Sequence, residues 1–337
     1  MGLACTKTST ASNAPLNNTA DTSQTGPDAS QSSLDISANN KWTPSGITVA
    51  GGNEEGIELN QLFQPWGLYV DDDLTVYIAD YWNHRIVEWK SGAKNGVVVA
   101  GGNGEGNRAD QLCGPTDVII DLKGDNFLIC DHENRRIVRW PRREGKSGET
   151  IISDVQCYSI TMDKQGYLYV PDTDKHEVRR WRVGETSGVV VAGGCGEGEG
   201  LNQLSYPRYV FVDQNYSIYV SEHGNQRVTK WLKGAKEAVI VAGGQGQGDD
   251  PSQLSNPEGV FVDQLGTVYV AESGNHRIVC WPKGSKRGNV ILGGSGSGKQ
   301  PNQLYCPIGL SFDCHGNLYV VDMGNNRTQR FNIIRNS

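Results

Sequence analysis

Five of the six histidines stand at repeated distances from acidic residues, and that pattern is the first chemistry to weigh. His132 and His223 directly follow Asp131 and Glu222, while His84, His176 and His276 lie four residues beyond Asp80, Asp172 and Glu272. Imidazole beside carboxylate is the donor set of a zinc centre, with packing in the turn between strands as the plainer role for His84, His176 and His276. A catalytic zinc needs protein ligands converging on one open position, and His132 and His223 are 91 residues apart with no third His or Cys at ligand spacing. Asp117 and Glu258 could offer oxygens to calcium, but two carboxylates fall short of the roughly six to eight oxygens that ion takes. No catalytic residue, metal or cofactor is therefore expected.

Other chemistry-bearing segments read in the same way. The glycine-rich stretches at 101–106, 193–198 and 243–248 look like phosphate loops, yet they lack the Lys-Ser/Thr pair and the following helix, so turn formation explains them better. Arg135, Arg136, Arg139, Arg142, Arg143 and Lys146, with Arg179, Arg180 and Arg182, form a basic set that could meet RNA. Net charge is −7, of which −5 lies beyond residue 40, and this acidic balance weakens phosphate binding and argues against DNA. A solvated edge that discourages strand addition is the plainer role for those arginines. The eight cysteines occupy unrelated positions without a CxxC pair, which points to free thiols in a reducing compartment.

Met1-Gly2-Leu3-Ala4-Cys5-Thr6 fits an acylation pattern with Gly2 and Cys5 as acceptors, and Leu-Ala-Cys also fits a lipoprotein cleavage site. One acyl chain holds a membrane only marginally. There is no apolar run near the roughly 18 residues of a membrane span, and no signal-peptide pattern. A cytoplasmic protein is expected, membrane-attached only through an acylated N-terminus. A secreted form is the alternative, and only there would the sequons at Asn17, Asn215 and Asn326 matter.

The elements that must position these residues repeat. Asp80, Asp131, Asp172, Glu222, Glu272 and Asp322 follow one another at steps of 51, 41, 50, 50 and 50, and Trp89, Trp140, Trp181, Trp231, Trp281 and Phe331 step identically. In the first unit, 67–70, 75–79, Arg85–Trp89 and 97–100 are short β-branched or aromatic runs bounded by Gly, Asp and Asn, which is strand chemistry. We label them a to d. Consecutive apolar residues at 97–100 and 189–192 predict burial on both faces. No four-stranded sheet of this size hides its faces alone, so six such units imply an all-β, six-bladed propeller of antiparallel blades. The segment 47–50 reads as a strand d without its own blade, and the last unit stops after strand c at Phe331. The N-terminal strand is thus expected to complete the sixth blade. The propeller spans 46–335, after a Ser-, Thr- and Asn-rich tail, 1–40, expected to be disordered.

Asn-His-Arg-Ile-Val at 83–87 and 275–279, following strands of the Tyr-Val-Ala-Asp/Glu type and Pro-x-Gly-(Leu/Val), resembles the NHL repeat over about residues 46–331. The resemblance implies a six-bladed propeller, used mostly to bind protein or RNA and in a minority of members for metal-dependent catalysis. Peptide-amidating lyases of this type carry zinc-binding histidines just after the Pro that opens strand a. Here that slot holds Trp66, Thr116, Tyr158, Arg208, Glu258 and Ile308. The third unit departs most, with Lys175 and Glu177 in place of Asn and Arg, a shorter span and, on this reading, no Gly-Gly pair. The trio Asp80, Asn83 and Arg85 recurs in the other blades and is expected to hold the b–c turn.

The face made by the d–a and b–c loops is the expected binding surface. It should present Trp66, Tyr81, Trp82, His132, Tyr158, Arg208, His223 and Glu258, differing residues in constant slots and rich in the Trp, Tyr and Arg that anchor interfaces. The expected function is a monomeric, noncatalytic scaffold recognising a protein partner through this face. RNA binding is the alternative, followed by a metal-dependent hydrolase or lyase with a channel site.

Overall fold

The structure, a computed structural model, describes residues 36–143, 145–185 and 187–335. These form six four-stranded antiparallel sheets and one two-stranded sheet. In blade 1 the strands are Pro65–Val70 (a), Val76–Asp80 (b), Arg85–Trp89 (c) and Val97–Gly101 (d). Strand b is buried throughout in blades 1, 4, 5 and 6, because its Val, Ile and Tyr side chains meet a neighbouring blade on each side. Tyr77 and Ile86 of blade 1, for instance, share one cluster with Phe127, Ile129 and Val138 of blade 2.

The outer strands correct an expectation. Val97 and Val189 are 58% and 59% exposed, so the consecutive apolar residues of strand d are not buried on both faces. Strand d is the outer strand with a partner on one edge only, and its single fully buried position is Ala100 in blade 1 and Ala192 in blade 3.

Ring closure follows the sequence. Ile47–Gly51 pairs with Arg327–Phe331 and supplies the sixth blade's outer strand. The described residues also reach ten positions further back than 46: Lys41–Trp42 pairs with Ile333–Ile334, and Ile36 is buried. The Trp42 indole N–H donates to the Gly316 carbonyl at 2.9 Å, and its ring packs against Tyr269 and Phe312 of blades 5 and 6.

Polar contacts on the loop face tie blades 1, 2, 4, 5 and 6 each to the one before. In blade 1 the Arg85 Nε donates to Asp80 at 2.7 Å while its Nη atoms donate to the carbonyls of Ile57, Glu58 and Gln61 in the incoming d–a loop. Asn83 bridges Asp80 and the Gly56 carbonyl, and the Phe63 amide donates to the other Asp80 oxygen. Arg136, Arg227, Arg277 and Arg327 pair in the same way with Asp131, Glu222, Glu272 and Asp322. The loops also bury Leu62, Leu112, Leu204, Leu254 and Leu304 completely, anchors the repeat reading passed over.

A second link uses the left-handed residue closing each b–c turn. His84, His176 and His276 accept, through Nδ1, the amides of Gly114, Tyr206 and Cys306 in the next blade, and Gln226 and Asn326 do the same with amide oxygens. All five have φ between 51° and 54°. The carbonyl of His84 receives the Gly102 amide, and Gly101, at φ 66°, passes so close to it that an added Cβ would lie 2.5 Å from that oxygen.

Blade 3 is irregular at its entrance. Its own outer strand, Val189–Gly193, does end in the Gly193-Gly194 pair, contrary to expectation. The pair is missing after blade 2's outer strand, Glu149–Ser153, and the short connection that follows leaves blade 3 an inner strand of only Thr161–Met162. With no long loop to hold, the clamp arginine is replaced by Glu177, which pairs with Arg179, while Lys175 bridges Asp154 and Asp172.

Arg277→Ala leaves the fully buried Glu272 carboxylate without its counter-ion and should cost about 3–5 kcal/mol. His276→Gln, which keeps an acceptor as Gln226 does, should cost less than about 1 kcal/mol. Urea denaturation of both variants checks this, and equal losses would contradict the assignment.

Candidate functional site

Each strand a opens at the loop face, five of them with Pro followed by the variable slot on a backbone fixed from the first residue. Trp66 of blade 1 stacks on Tyr158 of blade 3, ring centroids 5.5 Å apart. Blades 1 and 3 are not neighbours, so this contact is made across the axis. Tyr81 adds a third ring at 5.6 Å from Trp66, and His132 packs on Tyr158 at 4.3 Å. Arg208 lies 4.8 Å from the Tyr158 centroid and donates to Glu258 Oε1 at 2.6 Å, and His223 Nε2 is 3.8 Å from the same oxygen. Seven of the eight expected residues therefore join in one chain of contacts around the mouth of the ring. Trp82, 49% exposed, extends it outward through an edge contact with Tyr81 at 5.2 Å.

Burial sets the electrostatics. Glu258 is 1% exposed, and desolvation pushes its carboxyl up to about 7, with Arg208 pulling against the rise. His223 is held down to about 4 by burial, helped by the charge on Arg208. Burial also lowers His132, whose Nδ1 lies 2.8 Å from the Cys157 carbonyl and whose Nε2 lies 2.8 Å from Gln156. Asp117, also pushed up to about 7 by burial, spends its oxygens on the Val118 and Ile160 amides, which leaves it a structural strut. No group of three His, Cys, Asp or Glu side chains among the described residues is placed to hold a metal ion. Of the alternative slot residues, Thr116 donates to the Cys157 carbonyl and Ile308 is buried in an apolar cluster.

One site residue went unread in the sequence. Tyr209 follows Arg208 in a position where blades 1, 5 and 6 have Gly67, Gly259 and Gly309. Its buried hydroxyl sits within the electrostatic influence of Asp117 and Glu258, and burial raises it well above the usual tyrosine value. The departure from glycine was the available signal. Tyr206 and Tyr305, 48% and 44% exposed, were also missed because neither falls in the slot after Pro.

The basic rim is largely paired. Arg135 meets Asp154 and Asp174, Arg139 meets Glu149, Arg142 meets Asp71, and Arg180 lies over Tyr167. A groove of about 470 Å³ on that side, lined by Val98, Asp110, Trp140 and Lys146, lies away from the axis. The seven described cysteines are free thiols. Gly2 and Cys5 lie outside the described residues.

NHL repeats, as a protein family, match residues 64–89 and 254–281. The chain carries NHL repeats in a six-bladed propeller. No curated protein matches it. This NHL propeller shares its fold with an auxiliary nutrient binding protein from Bacteroides thetaiotaomicron, at 14% identity and TM-score 0.68, covering 88% of this chain and 77% of that one. It is similar in fold to a gluconolactonase from Xanthomonas campestris, at 13% identity and TM-score 0.59, with 87% and 99% covered. A virginiamycin B lyase from Staphylococcus aureus is a further structural neighbour, at 13% identity and TM-score 0.51, with 83% and 99% covered.

Because folding raises the Glu258 value, its contribution to stability is fully present below the ordinary 4.5 and is lost as pH rises through about 7. His223 acts oppositely, its contribution present above 6.5 and lost as pH falls through about 4. Glu258→Gln should therefore lose less thermal stability than the parent between pH 5 and 8. Parallel melting-temperature curves across that window would contradict the placement of Glu258.

Proposed function

We propose that this NHL propeller is a noncatalytic recognition module that binds a protein partner, as a monomer in the cytoplasm, through its d–a and b–c loop face. The observation that carries this reading is the distribution of exposed aromatics. Among the described residues, the large aromatic side chains left exposed are Trp82, Tyr206 and Tyr305, and all three lie on that face. They ring the half-buried Trp66, Tyr81, Tyr158 and Arg208. Rigid aromatic area around a more enclosed centre containing Trp, Tyr and Arg is the usual make-up of interface hot spots.

The RNA reading would draw its affinity from free cationic groups along a backbone track. Arg135, Arg136, Arg139, Arg142 and Arg179 instead spend their charge on nearby carboxylates, which favours the protein partner. A metal-dependent hydrolase or lyase would need ligands that Asp117 and His132, committed to backbone and amide partners, do not supply.

The test is affinity capture from lysate with the full chain and with a Trp82→Ser, Tyr206→Ser, Tyr305→Ser variant, after melting curves show that both are folded. A partner retained in stoichiometric amount by the parent should be reduced at least about tenfold by the variant. Equal recovery, or a captured species removed by ribonuclease, would overturn the proposal.

A further inference from the structure

The centre of the loop face holds an unusual collection of polar atoms without partners. Trp66 Nε1, Arg208 Nε, Tyr209 Oη and Glu258 Oε2 are all buried and make no hydrogen bond within the protein. They come from the opening residues of three inner strands, in blades 1, 4 and 5. Buried polar groups in folded proteins are nearly always satisfied, because an unmet donor or acceptor in an apolar setting is costly. Here four such atoms belong to one connected set: Trp66 and Tyr209 share a packed cluster, and Arg208 joins Glu258 at 2.6 Å.

We propose that this axial mouth is a binding site for a neutral, hydroxyl-bearing small molecule of monosaccharide size. The inventory sets the class. Trp66 Nε1 and Arg208 Nε can only donate, Glu258 Oε2 accepts when ionised, and Tyr209 Oη does either. The complement must accept and donate in the same small volume, which a set of hydroxyls does and a simple anion or cation does not. Charge agrees with this, since Arg208 and Glu258 already neutralise each other and His223 is held uncharged beside them. Trp66 and Tyr81, half-buried and tilted at a centroid spacing of 5.6 Å, offer aromatic area on which the apolar C–H face of a sugar ring can lie, while the Tyr158 ring is covered by Trp66, His132 and Arg208.

The site lies inside the ring of Trp82, Tyr206 and Tyr305 and stands independently of any protein partner. Saturation-transfer NMR on the full chain with D-glucose, D-galactose and D-mannose tests it, with propionamide and sodium acetate as competitors. At least one hexose should give saturable binding with a dissociation constant of about 1 mM or tighter. Trp66→Phe keeps the aromatic area but removes the N–H, and Glu258→Gln replaces the orphan carboxylate oxygen. Binding measured at pH 8, above the Glu258 value, should weaken about tenfold for each, with an unchanged melting curve at pH 5. The Trp82→Ser, Tyr206→Ser, Tyr305→Ser variant should bind the hexose as the parent does, so loss of partner capture and loss of sugar binding are read separately. No hexose binding, undiminished binding by both conservative variants, or displacement by propionamide or acetate at equal concentration would each overturn the proposal.

Discussion

The buried carboxylate–arginine clamp is the interaction on which this ring depends. It occurs in blades 1, 2, 4, 5 and 6, and in each the carboxylate is essentially inaccessible while the guanidinium reaches into the loop arriving from the previous blade. A buried ion pair offers little net stability when its attraction only repays desolvation. This one does more, because the guanidinium satisfies loop carbonyls that would otherwise be stranded when the loop is pulled against the disc: Arg85 serves three of them, as does Arg327. Since each clamp belongs to one blade and its loop belongs to the junction with the one before, five clamps fix five of the six inter-blade angles. The sixth junction, between blades 2 and 3, uses a short connection instead and dispenses with both loop and arginine.

That division of labour frees the strand-a slot. The turn acid, the Asn and Arg, the left-handed residue and the Gly-Gly pair hold the loop face rigid without using the residue after Pro. Trp66, Thr116, Arg208, Glu258 and Ile308, each directly after a Pro, can therefore differ in size and charge on a constant frame, and Tyr158 takes part in blade 3 without the Pro. Preorganised variation on a rigid frame limits the entropy lost on binding, the property a recognition surface needs.

The fold was readable because sixfold recurrence made each unit a control for the others, and even the closing strand was visible as a fourth strand lacking a blade. Trp42 and Ile36 were not, since they precede the repeat and their burial depends on a crevice formed by Tyr269, Phe312 and the chain's own end. The exposure of Val97 was misread because an apolar run records strand propensity equally well at a rim and in a core. For the site, the slot after Pro picked out Trp66, Arg208 and Glu258 and the b–c turns picked out Tyr81, Trp82, His132 and His223, while Tyr158 follows Cys157 and not a Pro. What it could not show was which polar atoms remain unmet: the pairing of Asp117 with the amides of Val118 and Ile160 and the stranding of Glu258 Oε2 depend on packing between blades distant in sequence.

The polar character of the mouth is not demanded by closure of the ring. Ile308 occupies the same slot in blade 6, is buried at 2% exposure, and fills its share of the axis with apolar contact alone. Thr116 fills the slot in blade 2 with its hydroxyl fully used. A purely structural plug would be more stable with such residues in every blade, because an unmet buried carboxylate oxygen and an unmet guanidinium N–H both oppose folding. Glu258 and Arg208 carry that penalty side by side, near an indole N–H and a tyrosine hydroxyl in the same condition, whereas the other four such atoms among the described residues belong to Trp181, Thr328, Gln329 and Arg330 on outer-lying strands c. Four of the eight unmet buried atoms among the described residues gather where the blades meet at the axis, and a ligand that supplies their partners there would offset that cost.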